Sequence, residues 1–227
     1  MIKNGFNDYS ELIESCREKF ETYYKLLTEY NGKFNITAIT EKSEVYSKHF
    51  EDSLLGAVFI DKGTLIDVGS GGGFPAIPLK IVNDDLNVTL LDATEKKCLF
   101  METVVRELGL KNVKVIYGRA EEFCKGKMRE SFDYCTSRAV GRLNGLAEYT
   151  LPFLKIGGKF VCYKSGNAAE EITEAENAVK ILGGEITEIT TIERSYGTRK
   201  IVEIKKIKRT PTEYPRSFGK IKKSPLI

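Results

Sequence analysis

The chain has 227 residues, of which 41% are hydrophobic and 30% are charged, enough for one well-buried domain with an extension. No run of about 18 apolar residues occurs, and residues 1–8 lack the basic-then-apolar order of a signal peptide. These features argue against a membrane or secreted protein, and we expect a cytoplasmic monomer without membrane contact.

Cysteine and histidine are distributed in a way that disfavours a metal centre. The five cysteines are irregularly spaced and form no CxxC pair, and the only histidine is His49. We therefore expect no metal and a set of reduced, mostly buried thiols at Cys16, Cys98, Cys124, Cys135 and Cys162.

Positive charge is concentrated at the end of the chain. Residues 200–227 hold nine Lys or Arg against two Glu, although the net charge of the whole chain is only +3. A basic end on a slightly acidic body suits contact with a polyanion such as nucleic acid. A solvated tail without a partner is the alternative.

The first 60 residues predict a helical extension. Asp8 and Glu11 have capping-box spacing, and apolar residues at helical intervals follow them up to position 30, where Asn31-Gly32 is expected to end the helix. His49 and Asp52 lie three residues apart, so a helix would place them on one face. They would hold a ligand there or serve as a structural polar pair.

From residue 64 onward, short apolar runs alternate with helical patterns. This alternation predicts a parallel sheet with crossover helices, followed by an antiparallel hairpin. We expect an N-terminal extension over 1–60 packed on the core, an α/β domain over 61–208 and a basic tail over 209–227. Strands are predicted over 64–68, 88–91, 113–117, 132–137, 159–163, 185–192 and 200–207, and helices over 74–82, 94–108, 144–154 and 168–182.

A glycine-rich stretch, LIDVGSGGGFPAIPLKI, predicts a strand, a tight turn and a helix. Phe74 stands where the dinucleotide fingerprint GxGxxG needs its third glycine, and no Lys-Ser or Lys-Thr pair closes a phosphate loop. What remains is an acid followed by alternating glycines at Asp67, Gly69, Gly71 and Gly73. This pattern is similar to that of Rossmann-like S-adenosylmethionine-dependent methyltransferases, and a tight turn in another α/β domain is the alternative.

Polar residues follow three further strands at the edge where open α/β sheets bind ligands. Asp92 follows the second strand and suits ribose hydroxyls, Glu121 follows the third and suits adenine, and Arg138 follows the fourth. Each also suits a structural role: a helix N-cap for Asp92, dipole compensation for Glu121 and a surface ion pair for Arg138. Together with the glycine turn, they favour S-adenosylmethionine.

Longer segments carry a family resemblance over nearly the whole chain. The segments are YNGKFNIT, KHFEDSLL, LIDVGSGGGFPAIPLKI, LLDATEKKCLFMETVVRELGLKNVKVIYGRAEEF, FDYCTSRAV and YPRSFGKIKKSPL. The chain resembles the RsmG (GidB) family of bacterial methyltransferases. The resemblance implies a Rossmann-like class I fold with a seven-stranded, mostly parallel sheet. It also implies methylation of guanine N7 in the 530-loop region of 16S ribosomal RNA, either free or within a 30S particle.

The resemblance also implies the residues of the site. S-adenosylmethionine, which leaves as S-adenosylhomocysteine, would be bound by Gly69, Gly71, Phe74, Asp92, Ala93, Thr94, Ala120, Glu121 and Arg138. Candidate RNA contacts are Arg138, Lys164, Arg199 and Arg216, for each of which ordinary surface charge is the alternative.

The chemistry of the acceptor agrees with this interpretation. Guanine N7 has a free lone pair and no proton to lose, so positioning of donor and acceptor is the main requirement. The sequence lacks the Pro-Cys pair that methylation of cytosine C5 uses. It also lacks the Asn/Asp-Pro-Pro-aromatic motif that is typical of methylation of exocyclic amines. No catalytic side chain is identified. A methyltransferase acting on a small molecule or a protein remains the alternative, as does a nucleic-acid-binding module without catalysis.

Overall fold

The computed structural model describes residues 9–227. Its α-helices are α1 Ser10–Ser15, α2 Arg17–Phe34, α3 Lys42–Val45, α4 Asp52–Leu54, α5 Ala76–Val82, α6 Glu95–Glu107, α7 Ala120–Phe123, α8 Leu143–Thr150, α9 Ala169–Ile181 and α10 Phe218–Lys223. The strands are β1 Gly63–Val68, β2 Leu86–Asp92, β3 Val113–Tyr117, β4 Phe132–Arg138, β5 Leu154–Ser165, β6 Gly184–Ile192 and β7 Arg199–Lys206. A π-helical turn, Tyr46–Glu51, joins α3 to α4.

Seven strands form one mostly parallel sheet, as predicted. The chain divides into two compact units, Met1–Tyr117 and Gly118–Ile227. The strand order is β3-β2-β1 in the first unit and β4-β5-β7-β6 in the second. The sequence prediction of an α/β fold with a Rossmann-like sheet is therefore confirmed. Within residues 9–227, no helix combines the length and apolar character needed to cross a membrane.

In the first unit, β1 pairs in parallel with β2, and β2 with β3. Leu65 and Ile66 are successive residues of β1 and both are fully buried. Burial of neighbouring side chains, which point to opposite faces, shows that β1 is covered on both sides, as is usual for a parallel strand. This strand carries the glycine turn at its carboxyl end.

The N-terminal helices differ from the prediction at two points. The helical region is interrupted at Cys16, between α1 and α2. The predicted end at Asn31-Gly32 is wrong: α2 continues to Phe34 and ends at Asn35, whose φ of 50° is left-handed. An exposed glycine costs a helix only about 1 kcal/mol, whereas a left-handed residue ends it. The predicted capping box includes Asp8, which lies outside the described residues.

In the second unit, β4 and β5 are parallel, and β7 pairs antiparallel with both β5 and β6. The predicted terminal hairpin is thus confirmed. Residues 209–227, which the sequence predicted as a basic tail, include α10 and contact the body of this unit. The Arg129 guanidinium donates to the backbone oxygens of Thr210 and Tyr214 at 2.7 and 2.9 Å.

Candidate functional site

The glycine turn of the first unit is tied to the end of β2 by backbone and hydroxyl hydrogen bonds. The N–H groups of Gly69 and Ser70 donate to the Leu91 carbonyl at 2.8 and 3.2 Å. The Ser70 hydroxyl donates to the Asp67 carbonyl at 2.9 Å and accepts from Leu91 N at 3.1 Å. The turn is therefore fixed relative to the carboxyl ends of two neighbouring strands.

Two glycines of the turn are required for different reasons. Gly71 has a φ of +59°, and a Cβ there would meet only the Gly69 carbonyl oxygen, at 3.9 Å. The space over its backbone is open, as close approach of a ligand requires. Gly73 has a φ of +89°, and its Cβ would lie 2.7 Å from the Tyr23 hydroxyl and 2.9 Å from Ile77 Cγ1. Gly73 therefore serves internal packing.

Asp92, predicted to follow the second strand, is the last residue of β2 and connects the glycine turn to α6. Its Oδ2 accepts from Gly71 N and its Oδ1 from Thr94 N, both at 2.8 Å. The N-cap position of α6 belongs to Thr94, and Ala93 between them is exposed. Each carboxylate oxygen keeps a second lone pair for another donor.

An aromatic cluster from the N-terminal extension covers the other side of the turn. The Tyr23 hydroxyl donates to the Gly72 carbonyl, and the Tyr23 ring stacks on Phe74 with centroids 5.4 Å apart. The His49 ring also stacks on Phe74, at 4.5 Å and 18°. His49 Nε2 lies 2.8 Å from the Thr37 hydroxyl. Phe74 is thus held by aromatic rings from two segments of the extension.

Sequence reasoning missed the part played by Tyr23. Tyr23 is fully buried and occupies one apolar position among several on α2, so its spacing indicated only a core residue. Its hydroxyl partner is a backbone carbonyl 49 positions away, which no local pattern can indicate.

In the second unit, Ala120 and Glu121 begin α7. Glu121 is 9% exposed, and its carboxylate forms no hydrogen bond or ion pair with any residue in the 9–227 range. Its carboxylate oxygens remain accessible to solvent, so they are free to accept hydrogen bonds from a ligand. Arg138 is half-buried at the carboxyl end of β4, in register with Tyr163 of β5.

The candidate RNA contacts Lys164 and Arg216 have partners within the protein. Lys164 Nζ donates to the Gly141 carbonyl and to Glu171 Oε1, both at 2.6 Å. Arg216 donates from Nε and Nη2 to the fully buried Glu148 carboxylate at 2.9 and 2.7 Å. These hydrogen bonds raise the pKa of Arg216. Arg199 stacks its guanidinium on Tyr196 at 4.9 Å.

Three of the buried cysteine thiols have pKa values above the ordinary range. Burial raises the pKa of Cys98 to about 11 and that of Cys124 and Cys162 to about 12. These groups are therefore thiols, not thiolates, at neutral pH. Within residues 9–227, no three His, Cys, Asp or Glu side chains are arranged to hold a metal ion.

Solved structures share this architecture. TYW2 of M. jannaschii in complex with AdoMet superposes with a TM-score of 0.58 at 14% identity, covering 70% of this chain and 76% of that one. A SAM-dependent methyltransferase from Aquifex aeolicus gives a TM-score of 0.57 at 20% identity, covering 76% of this chain and 97% of the other. The sheet and its glycine turn thus define the Rossmann-like methyltransferase fold.

Sequence comparison identifies the family within that class. A family model described as rRNA small subunit methyltransferase G (GidB) matches residues 16–202. Proteins named ribosomal RNA small subunit methyltransferase G from Staphylococcus aureus strains JH9 and Newman are each 44% identical over 222 residues, 96% of this chain and 93% of theirs. The chain belongs to the rRNA small subunit methyltransferase G family, and the resemblance expected from its motifs is confirmed.

Proposed function

We propose that this protein transfers a methyl group from S-adenosylmethionine to N7 of one guanosine in the 530-loop region of 16S ribosomal RNA. Family membership and the name of the Staphylococcus aureus relatives support methylation of small-subunit ribosomal RNA. The guanine N7 position and the cofactor are inferred from the residues of the site and from the resemblance stated above.

The observation that carries the proposal is the Asp92 carboxylate bridging the glycine turn and α6. It accepts from Gly71 N, where the backbone is open to a ligand, and each oxygen retains acceptor capacity. An acidic residue in this position of a Rossmann-like unit accepts hydrogen bonds from ribose hydroxyls. The donor set of the first unit therefore fits the nucleoside part of S-adenosylmethionine.

The remaining assignments follow the resemblance. In the first unit, Gly69, Phe74, Ala93 and Thr94 complete the cofactor-binding set. In the second unit, Ala120, Glu121 and Arg138 are assigned to the same set by the resemblance, and the carboxylate of Glu121 can accept hydrogen bonds from the amino group of adenine.

The proposed chemistry depends on position more than on acid–base groups. Bound S-adenosylmethionine supplies a methyl group activated by its sulfonium. Guanine N7 brings its own lone pair, so no residue has to remove a proton, and the protein gains rate by aligning the two reactants. The raised pKa values of the thiols of Cys98, Cys124 and Cys162 are consistent with a reaction that uses no cysteine.

Arg138 belongs to the proposed cofactor-binding set and is also proposed as an RNA contact. Arg199 is proposed as a second contact. Lys164 and Arg216 are also proposed as RNA contacts. Their hydrogen bonds to Glu171 and Glu148, however, contribute to the packing of the second unit. Mutation of these two would therefore affect folding as well as RNA affinity.

The test is transfer of labelled methyl from S-adenosylmethionine to ribosomal RNA or 30S particles taken from a strain that lacks this protein. We expect label in 16S RNA and none in 23S RNA, and loss of transfer in Asp92→Ala. Label in neither RNA, with intact cofactor binding, would overturn the proposal and favour a small-molecule or protein acceptor.

A further inference from the structure

A cavity of about 380 Å³ lies between α8 and α10 in the second unit. We call it the α8–α10 pocket, and it is lined by Val140, Asn144, Tyr149, Phe218, Lys222 and Pro225, among others. Its volume falls in the range of small-ligand sites. None of the cofactor contacts assigned above uses these residues.

The lining combines exposed apolar groups with aromatic rings. Phe218 is 43% exposed and Val140 is 42% exposed, although both have large apolar side chains. The Arg119 guanidinium lies 4.6 Å from the centre of the Phe218 ring. Unpaired RNA bases are recognised by stacking on aromatic rings and guanidinium planes of this kind.

The charge at the pocket complements a phosphodiester. Lys222 lines the pocket, and Lys220 and Lys223 lie on the same helix, α10. None of these three lysines forms an ion pair with an acidic group of the described chain. The other cation of the lining, Arg142, is paired with Glu174. An unpaired ammonium group in the lining, with two more on the same short helix, favours an anionic ligand such as a nucleotide over a neutral or cationic one.

One polar side chain within the lining suits a base edge. Asn144 is 6% exposed, and its Oδ1 accepts from Gly145 N at 2.8 Å. The side-chain amide group still has two N–H donors. Such donors match the carbonyl oxygen and ring-nitrogen acceptors of nucleobases.

The pocket is near the second-unit residues assigned to the cofactor, although none of those residues lines it. Val140 follows Arg138 by two positions, and α7, which carries Glu121, packs on α8. Burial, and then the charges of Glu121 and Glu148, raise the pKa of Tyr149 to about 12.

We propose that the α8–α10 pocket holds one unpaired nucleobase of the RNA substrate, stacked on Phe218, with its phosphate near Lys222. This inference rests on the proposed function and adds to it a substrate-binding surface formed by the C-terminal helix. It also gives the basic end of the chain a defined contact with a single nucleotide.

The test compares two pocket variants with matched controls elsewhere on the surface. Phe218→Leu removes the stacking ring and Lys222→Gln removes the charge. Phe34→Leu replaces a ring that is 37% exposed on α2, and Lys111→Gln removes an exposed lysine of the first unit. Affinity for 16S RNA, methyl-transfer kinetics and affinity for S-adenosylmethionine are measured for each, and ultraviolet cross-linking to 30S particles is mapped by mass spectrometry.

We expect Phe218→Leu to weaken RNA binding about tenfold. We expect Lys222→Gln to make RNA affinity less dependent on salt concentration, by the amount that corresponds to the loss of about one phosphate contact. Cofactor affinity and both controls should stay within twofold of wild type, and the cross-link should join an RNA base to Phe218 or Tyr149.

Unchanged RNA affinity in both pocket variants, or a cross-link to a ribosomal protein or to a second copy of the chain, would overturn the pocket assignment. If the wild-type protein binds RNA but transfers no methyl group to it, the proposed function fails. The RNA affinities of the pocket variants and their controls still test the pocket assignment in that case. If the wild-type protein neither binds nor methylates RNA, both are overturned.

Discussion

The Tyr23 hydroxyl donates a hydrogen bond to the Gly72 carbonyl, and this contact joins helix α2 of the N-terminal extension to the glycine turn. The Tyr23 ring also stacks on Phe74, the residue that follows the glycines. The N-terminal extension therefore helps to hold the glycine turn in its conformation. A turn held in one conformation before the ligand arrives loses less entropy on binding.

Tyr23→Phe removes only the hydroxyl and should weaken S-adenosylmethionine binding about fivefold, since one hydrogen bond contributes about 1 kcal/mol. Calorimetric titration with S-adenosylmethionine measures this change. Tyr30→Phe is the matched control, because Tyr30 lies on the same helix and its hydroxyl is 3.1 Å from Thr103 Oγ1, away from the turn. Equal cofactor affinity for the two variants would show that the Tyr23 contact has no effect on binding.

Substitution of Gly71 should mainly lower cofactor affinity, whereas substitution of Gly73 should mainly lower the stability of the fold. Gly71→Ala costs about 1 kcal/mol of stability from its positive φ, but its Cβ enters the open space and should lower cofactor affinity at least tenfold. Gly73→Ala places its Cβ against Ile77 and the Tyr23 hydroxyl, which should cost about 2–4 kcal/mol. Urea unfolding and calorimetric titration are the measurements. The account fails if Gly71→Ala is the less stable variant.

The sequence predicted the strand positions well because each core strand is an apolar run between turn residues, and β3 matches its predicted bounds of 113–117. It placed Asp92 and Glu121 at strand ends for the same reason. It could not predict that Asp92 accepts from Gly71 N, or that Arg216 is paired with Glu148. These contacts join residues that are far apart in the chain, and only the tertiary fold determines them.

Arg216→Ala should destabilise the protein by about 3 kcal/mol, because it removes the guanidinium from the fully buried Glu148 carboxylate and leaves only the backbone N–H of residue 216 as donor. Urea unfolding measures the change. The double variant Arg216→Met with Glu148→Leu removes both charges and should recover most of the loss. A single variant as stable as wild type would show that the pair does not hold residues 209–227 in place.

We expect the buried side chain of Lys206 to make the free energy of unfolding depend on pH. Burial lowers the pKa of this fully buried lysine from 10.5 to about 8, so between these values the unfolded chain binds more protons than the folded one. The contribution of Lys206 to stability is therefore least favourable below pH 8 and rises by about 3 kcal/mol toward pH 10.5.

This contribution is measured as the difference in unfolding free energy between wild type and Lys206→Met across pH 7–10.5. Because other groups, such as the buried thiols, titrate in both proteins, the difference isolates Lys206. We expect the difference to shift in favour of wild type as the pH rises. A difference that is constant with pH would mean that Lys206 keeps an ordinary pKa in the folded protein.

The most direct test of the central claim is the identity of the methylated nucleoside. 16S RNA from a strain lacking this protein is incubated with S-adenosylmethionine and the purified chain, digested to nucleosides and analysed by mass spectrometry against standards. The account predicts 7-methylguanosine at a single position, in the 530-loop region, and none with Asp92→Ala. A methyl group found on a base other than guanine, or on guanine at an atom other than N7, would contradict it.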